Sequence, residues 1–171
     1  GCDDAVMLTL GTGLGGAVVI RGDAAGGEAV MAGSQIGHFT IAVDGPPCTC
    51  GNRGCAEVFA SATGLRRLAA VAGVDITEAR DAFAIPAVVD TFTEALAATI
   101  VTAIHAYQPE IVVLGGGLMG SADQFLPRVQ KLVAERAWTT PGRRARIEPS
   151  ALGEHMGVLG AAAVALERIT S

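Results

Sequence analysis

The chain has 171 residues, of which 50% are hydrophobic and 17% charged, so one globular domain with a sizeable core is expected. Its formal net charge of -5 argues against a nucleic-acid-binding face in this segment, because phosphate binding requires clustered Lys and Arg. No apolar run reaches the roughly 20 residues that a membrane span needs, and no basic region precedes an apolar one at the N-terminus, so a cytoplasmic protein is predicted.

The beginning of the chain is predicted to form a strand, a glycine turn and a second strand. Apolar side chains alternate along Ala5–Leu10, and residues 17–20 are continuously apolar on the far side of a glycine-rich run. A loop rich in glycine and alanine then extends to Gly33. A short strand is predicted over residues 39–43, before a turn that contains two prolines.

Helical periodicity replaces the strand pattern in the middle of the chain. Apolar residues predict one or two helices over residues 58–72, which Gly73 ends, and then a short helix and a loop over residues 75–85. A long helix is predicted over Pro86–Tyr107, because proline suits a first turn and the apolar residues recur at helical spacing. One side of this helix is expected to be buried.

Strands and helices alternate in the second half, so the predicted class is α/β. Residues 111–114 form an apolar run between a proline and three glycines, which is typical of a central strand buried on both faces. A helix that opens at Pro127 and a strand over residues 145–148 follow. Residues 153–160 are predicted to be a loop, and residues 161–169 a helix of small residues that packs closely.

Four candidate metal ligands are close together in sequence. His38, Cys48, Cys50 and Cys55 offer one imidazole and three thiolates, a set that suits tetrahedral zinc. The prolines and glycines around them allow the backbone to fold three sulfurs around one point. A site with four protein ligands leaves no position for water, so a structural role is predicted.

Two other interpretations of the cysteines are open. The thiols could pack as small apolar groups beside a solitary His38, or two of them could form a disulfide. A bond between Cys48 and Cys50 would close a strained ring, and any pairing within the cluster leaves one thiol over. Cys2 lies far away in sequence and receives no role.

The first glycine-rich segment is a candidate phosphate-binding turn. Gly11, Thr12 and Gly13 begin a run that leads into a strand rather than a helix, so the run does not match a dinucleotide-binding fingerprint. A hairpin turn at this point would present bare N–H groups and the Thr12 hydroxyl to a phosphate. A purely structural glycine hairpin is the alternative.

The second glycine-rich segment comprises Gly115, Gly116 and Gly117. It follows a buried strand and precedes a loop and a helix, which is where ligands bind in open α/β sheets. Its bare backbone could lie flat against a ring such as adenine. A tight turn without a ligand is the alternative, and the two glycine segments support each other only if the fold brings them together.

These motifs occur in a specific order. Gly-Thr-Gly-Leu-Gly-Gly starts at residue 11, Gly-His ends at His38, the element C-x-C-G-x-x-G-C-x-E runs from Cys48 to Glu57, and Val-Leu-Gly-Gly-Gly starts at residue 113. This order resembles the ROK family of sugar kinases and sugar-responsive repressors, and the cysteine element is highly specific. The resemblance covers residues 5–166 approximately. It implies that residues 1–171 form one C-terminal lobe of an actin-like (ribonuclease H-like) ATPase fold, with a mixed sheet, flanking helices and a zinc-binding loop.

The resemblance also implies roles for individual residues. The zinc ligands would be His38, Cys48, Cys50 and Cys55. Sugar hydroxyls would be bound by His38 and Glu57, because hydroxyls need both donors and acceptors. The turn at Gly11, Thr12 and Gly13 would face the phosphates of ATP with its Mg2+, and the turn at Gly115, Gly116 and Gly117 would face the adenine.

Two features depart from the family's pattern. The family usually has Gly-Glu-Ile-Gly-His where this chain reads Ser-Gln-Ile-Gly-His, so the sugar-binding glutamate is replaced by Gln35. A neutral amide still bonds to hydroxyls but loses the strength that charge gives. In addition, no residue here matches the family's N-terminal lobe, with its first phosphate loop and its general-base aspartate.

The expected function is therefore the zinc-containing half of an ATP-dependent, glucokinase-like kinase for a hexose or hexosamine, inactive on its own. The sugar-sensing domain of a repressor is the alternative, and a zinc-bearing interaction module without a ligand is a third. Polyphosphate is a conceivable phosphate donor in place of ATP. The family likeness suggests a homo-oligomer. No membrane partner is expected. Nucleic acid is expected as a partner only if a helix-turn-helix precedes this lobe.

Overall fold

The computed structural model describes residues 2–24, 34–139 and 144–170, so most of the predicted glycine- and alanine-rich loop lies outside the described residues. Its strands are β1 Ala5–Leu10, β2 Leu14–Ile20, β3 Asp23–Ala24, β4 Ile111–Gly115 and β5 Arg146–Pro149. Its α-helices are α1 Ala62–Val71, α2 Pro86–Tyr107, α3 Leu126–Arg136 and α4 Met156–Thr170. Short 3-10 helices lie at Ile36–His38, Ala56–Val58, Ala79–Ala84, Gly117–Gln124 and Gly153–His155.

The described strands form a mixed sheet in the order β3-β2-β1-β4-β5. β1 pairs antiparallel with β2 as far as Leu10↔Leu14, so the hairpin turn consists of residues 11–13 alone. On its other side β1 pairs in parallel with β4, up to Thr9↔Gly115, and β4 pairs in parallel with β5. Because the carboxyl ends of parallel strands meet at one edge, the loops after β1 and β4 leave the sheet side by side.

Helix α2 forms the centre of the helical layer, with the bounds that the sequence predicts. It begins at Pro86 and ends before Gln108, whose left-handed backbone (φ 45°) terminates the helix. Phe92 on α2 packs against Phe83 and Phe125, with ring centroids 5.3 and 5.2 Å away. The helix is long and apolar enough to cross a membrane. However, 56% of its apolar 18-residue stretch is buried inside the domain, as in the core helix of a soluble protein.

The predicted strand over residues 39–43 is wrong. Only Thr40 makes a β-bridge, and its partner is Cys55 rather than a strand of the sheet. The backbone N–H groups of Ile41 and Ala42 both donate to the carbonyl of Gly54. This segment therefore folds onto the cysteine loop, and a short apolar alternation could not distinguish that partner from a sheet.

The predicted start of the last helix is also wrong. α4 begins at Met156 and continues through Gly157 and Gly160, which had been expected to lie in a loop. An isolated glycine weakens a helix without ending it. The close packing expected of residues 161–169 is not observed either, since Leu166 is 63% exposed.

Candidate functional site

A tight loop brings the three clustered cysteines together. The N–H of Cys48 donates to the carbonyl of Asn52 (2.8 Å), and the N–H of Gly54 donates to the carbonyl of Pro46 (2.8 Å). Gly51 and Gly54 have positive φ values of 92° and 61°, a conformation that side chains other than glycine rarely adopt. A β-carbon at Gly54 would also collide with the carbonyl of Ala42. The glycines of the motif are therefore needed to turn the backbone around the thiols.

His38 joins this loop to complete a group of four candidate ligands. The ligand atoms of His38, Cys48, Cys50 and Cys55 all lie within 4.8 Å of one another. The Sγ atoms of Cys50 and Cys55 are 3.7 Å apart, and Nδ1 of His38 is 3.7 Å from Sγ of Cys48. Tetrahedral zinc with bonds of about 2.3 Å to sulfur places its ligand atoms about 3.8 Å apart. The chemistry and spacing of these donors thus fit a zinc ion.

The thiols of Cys55 and Cys50 differ in acidity. Burial, with the neighbouring thiols of Cys50 and Cys48, raises the pKa of Cys55 to about 12. A hydrogen bond from the backbone of Asn52 chiefly lowers the pKa of Cys50, which is exposed. Zinc binds the thiolate form, so a bound ion would replace the thiol protons. All four cysteines are free in the structure, so the disulfide alternative is not observed.

The turn at Gly11, Thr12 and Gly13 is hydrogen-bonded to the first turn of α1. The N–H of Ala62 donates to the carbonyl of Gly11 (2.9 Å), while the N–H and hydroxyl of Thr63 both donate to the carbonyl of Thr12 (3.2 and 2.8 Å). The N–H groups of Thr12 and Gly13 have no acceptor among the described residues. The turn is therefore held in place through its carbonyls while two of its donors are left for a ligand.

Glu57 lies against the same turn and is half-buried. Its Oε2 accepts a hydrogen bond from the N–H of Leu14 (3.0 Å), and a β-carbon at Gly13 would collide with this carboxylate. Gly13 is thus a site of close approach as well as a turn residue. A carboxylate fixed in this way keeps one oxygen for a hydroxyl donor.

The segment that contains Gln35 and His38 reaches the opposite side of Leu14. Gln35 is exposed and has a left-handed backbone (φ 52°) at the start of the 3-10 helix Ile36–His38. Gly37 packs so closely on the carbonyl of Leu14 that a β-carbon there would overlap it. Since the N–H of Leu14 bonds to Glu57, the backbone of this one residue connects the predicted sugar-binding residues.

The second glycine turn meets the first one. Gly116 has a φ of 94°, and a β-carbon on it would lie 2.5, 2.7 and 2.8 Å from the backbone O, C and N of Leu10, the residue before Gly11. A cavity of about 590 Å³ opens beside it, and its lining includes Gly115, Gly116, Gly117, Ser150 and Met156. The condition that the fold bring the two glycine segments together is therefore met.

A further cavity of about 300 Å³ lies between the first glycine turn, the cysteine loop and α1. Two residues that the sequence analysis did not select, Thr63 and Arg67, contribute to its wall together with Thr12, Thr49 and Glu57. Thr63 and Arg67 are four residues apart on α1 and so share one face of the helix. That spacing was the only signal in the sequence, and it is common on exposed helices.

Comparison with known proteins agrees with this arrangement. The sequence profile of the ROK family matches residues 1–168. A glucokinase of Thermotoga maritima is 33% identical over 99% of this chain, and a xylose repressor of Bacillus subtilis is 25% identical over 96% of it. The chain spans 60% of the length of that glucokinase and 44% of that repressor.

A crystal structure of a ROK hexokinase from Thermus thermophilus has the same fold. It superposes on the whole of this chain with a TM-score of 0.78 and 28% sequence identity, and the chain covers 60% of it. The predicted α/β class with a mixed sheet is therefore confirmed. A glucokinase, a kanosamine kinase and a xylose repressor are thus all among the relatives.

Proposed function

Because this chain belongs to the ROK family, we propose that it is the zinc-containing, sugar- and nucleotide-binding half of an ATP-dependent hexose kinase. In this proposal residues 1–171 form the C-terminal lobe of a cytoplasmic protein, and an N-terminal lobe supplies the general-base aspartate. The observation that carries the proposal is the convergence of both glycine turns and Glu57 at one end of β1. Phosphoryl transfer requires the phosphates and the hydroxyl to be held side by side.

The geometry suggests how the site would divide its tasks. Nδ1 of His38 faces Cys48 and would bind zinc, which leaves Nε2 for a sugar hydroxyl. Glu57 and Gln35 would bind further hydroxyls, and the free N–H groups of Thr12 and Gly13 would bind phosphate oxygens of ATP. The cavity beside Gly116 would receive the adenine. The sugar would be a hexose or hexosamine.

Hexose phosphorylation by the complete protein tests the kinase proposal. We expect ATP-dependent turnover of at least one common hexose or acetylated hexosamine. Zero turnover across that panel, with either ATP or polyphosphate as donor, would contradict it. Size-exclusion chromatography with light scattering tests the homo-oligomer that the family likeness suggests.

Replacing Glu57 with glutamine should lower kcat/KM for the hexose about 10- to 100-fold. A charge-assisted hydrogen bond to a hydroxyl is worth about 1.5–3 kcal/mol, whereas the amide oxygen still accepts from Leu14 and preserves the fold. Steady-state kinetics with Glu135→Gln as the control measure the effect, since Glu135 lies on the exposed side of α3. Equal rates for Glu57→Gln and the unmodified protein would remove Glu57 from the sugar site.

Gln35 favours a second candidate function, the sugar-sensing domain of a repressor. A neutral amide at this position forms weaker hydrogen bonds to the sugar than a carboxylate does. Phosphoryl transfer requires the sugar to be held firmly in the reactive position, whereas a sensor only has to bind it. The similarity to a xylose repressor is in keeping with this candidate. The sequence upstream distinguishes the two: an aspartate with a glycine-rich phosphate loop favours the kinase, and a basic helix-turn-helix favours the repressor.

Restoring glutamate at position 35 should tighten hexose binding about 10-fold. Gln35 is exposed, so a carboxylate there is not penalised by burial, and it would accept charge-assisted hydrogen bonds from the sugar. Isothermal titration of Gln35→Glu and the unmodified chain with glucose and N-acetylated hexosamines measures the change. Unchanged or weaker affinity for every sugar would show that this position does not contact the ligand.

A further inference from the structure

Arg67 on α1 is a cation without an ion-pair partner among the described residues, and it lines the cavity of about 300 Å³. Its Nε is buried, and no residue that the structure describes accepts a hydrogen bond from it. Its guanidinium carbon lies 5.6 Å from the centroid of the Phe59 ring. The guanidinium is thus held over an aromatic ring, which stabilises the charge but accepts none of its N–H groups.

A buried donor without a partner is costly, and the cost is larger when the donor is charged. Even at the surface, other arginines of this domain have carboxylate partners: Arg128 pairs with Asp90 and Arg136 pairs with Glu94. A guanidinium whose buried Nε lacks an acceptor, at the wall of a cavity, is therefore suited to an anionic ligand.

The remaining wall of the cavity favours a ligand that is rich in acceptors. Thr12 and Thr49 contribute hydroxyl groups, and the N–H groups of Thr12 and Gly13 have no acceptor within the described ranges. Glu57 contributes a negative charge to the same wall, but its Oε2 is bonded to the N–H of Leu14. Opposite charges in one cavity suit a molecule with hydroxyls at one end and an anion at the other.

We propose that this cavity binds a sugar phosphate monoester, with its phosphate on Arg67 and its hydroxyls towards Glu57. The identification of the sugar end rests on the proposed function, in which such a monoester is the product. Arginine presents paired N–H donors that match phosphate oxygens, and Thr12 and Gly13 add backbone donors on the adjoining side. Arg67 is then a residue that determines specificity for the phosphorylated form of the sugar.

Isothermal titration of the chain with glucose 6-phosphate, glucose, inorganic phosphate and ADP tests the proposal. We expect Arg67→Gln to weaken glucose 6-phosphate binding about 10- to 100-fold and to leave glucose binding unchanged. Arg67→Lys keeps the charge but loses the paired donors, so an intermediate loss is expected. Arg66→Gln is the matched control, because Arg66 is exposed and donates instead to the carbonyl of Thr77.

Three results would overturn the assignment. One is that the unmodified chain binds neither glucose 6-phosphate nor phosphate. Another is that Arg67→Gln, with an unchanged melting temperature, weakens glucose and glucose 6-phosphate equally or no more than Arg66→Gln does. The third is that only ADP binding depends on Arg67, which would assign the phosphate to the nucleotide. A protein that binds glucose 6-phosphate through Arg67 yet phosphorylates no hexose would refute the kinase proposal alone.

Discussion

Replacing Cys55 with serine should abolish zinc binding and unfold the cysteine loop. Cys55 is fully buried and is one of the four candidate ligands, and its Sγ lies 3.7 Å from that of Cys50. Structural zinc contributes on the order of 10 kcal/mol of apparent binding energy in small sites, so its loss removes most of what holds this loop together. Metal analysis should find about one zinc per unmodified chain and almost none per Cys55→Ser chain, with a lower melting temperature.

Cys2 provides the matched control for this experiment. It is a free cysteine outside the group of four, so Cys2→Ser should retain zinc and the melting temperature of the unmodified chain. A strong chelator should reproduce the effect of Cys55→Ser. The zinc hypothesis fails if the purified chain carries almost no metal and Cys55→Ser changes neither that content nor the melting temperature.

Replacing Gly116 with alanine should lower the free energy of unfolding by roughly 3 kcal/mol. The φ of 94° costs a residue with a side chain about 1–3 kcal/mol, and the added methyl group would press on three backbone atoms of Leu10, which cannot rotate away. Strands β1 and β4 would have to separate at their carboxyl ends. Urea unfolding followed by circular dichroism measures the difference.

Gly117 provides the matched control for Gly116→Ala. A β-carbon on Gly117 meets no atom within 4 Å, so Gly117→Ala should leave the free energy of unfolding unchanged or slightly raised. If Gly116→Ala is as stable as Gly117→Ala, the close contact between the two glycine turns is not present in solution. Gly117 also lines the cavity of about 590 Å³. ADP titration of Gly117→Ala therefore measures how an added methyl group in that cavity affects nucleotide binding, separately from any change in stability.

Elements with a local cause could be predicted from the sequence. Helix α2 has the predicted bounds because Pro86 starts it and the apolar spacing continues without interruption to Tyr107. Strand β4 was identified because its apolar run is bounded by a proline and glycines. The group of His38 and the three cysteines was found because zinc chemistry restricts the ligand types so strongly.

Features that depend on distant partners could not be predicted in this way. No residue near Thr40 in the sequence indicates that its bridge partner is Cys55 rather than a strand of the sheet. The bond from Leu14 to Glu57 joins residues 43 positions apart. In the sequence Arg67 cannot be distinguished from other helical arginines, because only the fold buries its Nε away from every acceptor in the described part of the chain. Tertiary context decides each of these cases.

The backbone of Leu14 has an energetic consequence for the two halves of the site. Its N–H is bonded to Glu57 and its carbonyl adjoins Gly37, one residue before His38, while the turn at Gly13 precedes it directly. If the chain binds sugar and nucleotide as proposed, a sugar that draws Glu57 away would therefore also alter the turn at Gly11, Thr12 and Gly13. Linkage then requires a reciprocal effect, so bound nucleotide would change sugar affinity by the same factor as sugar changes nucleotide affinity.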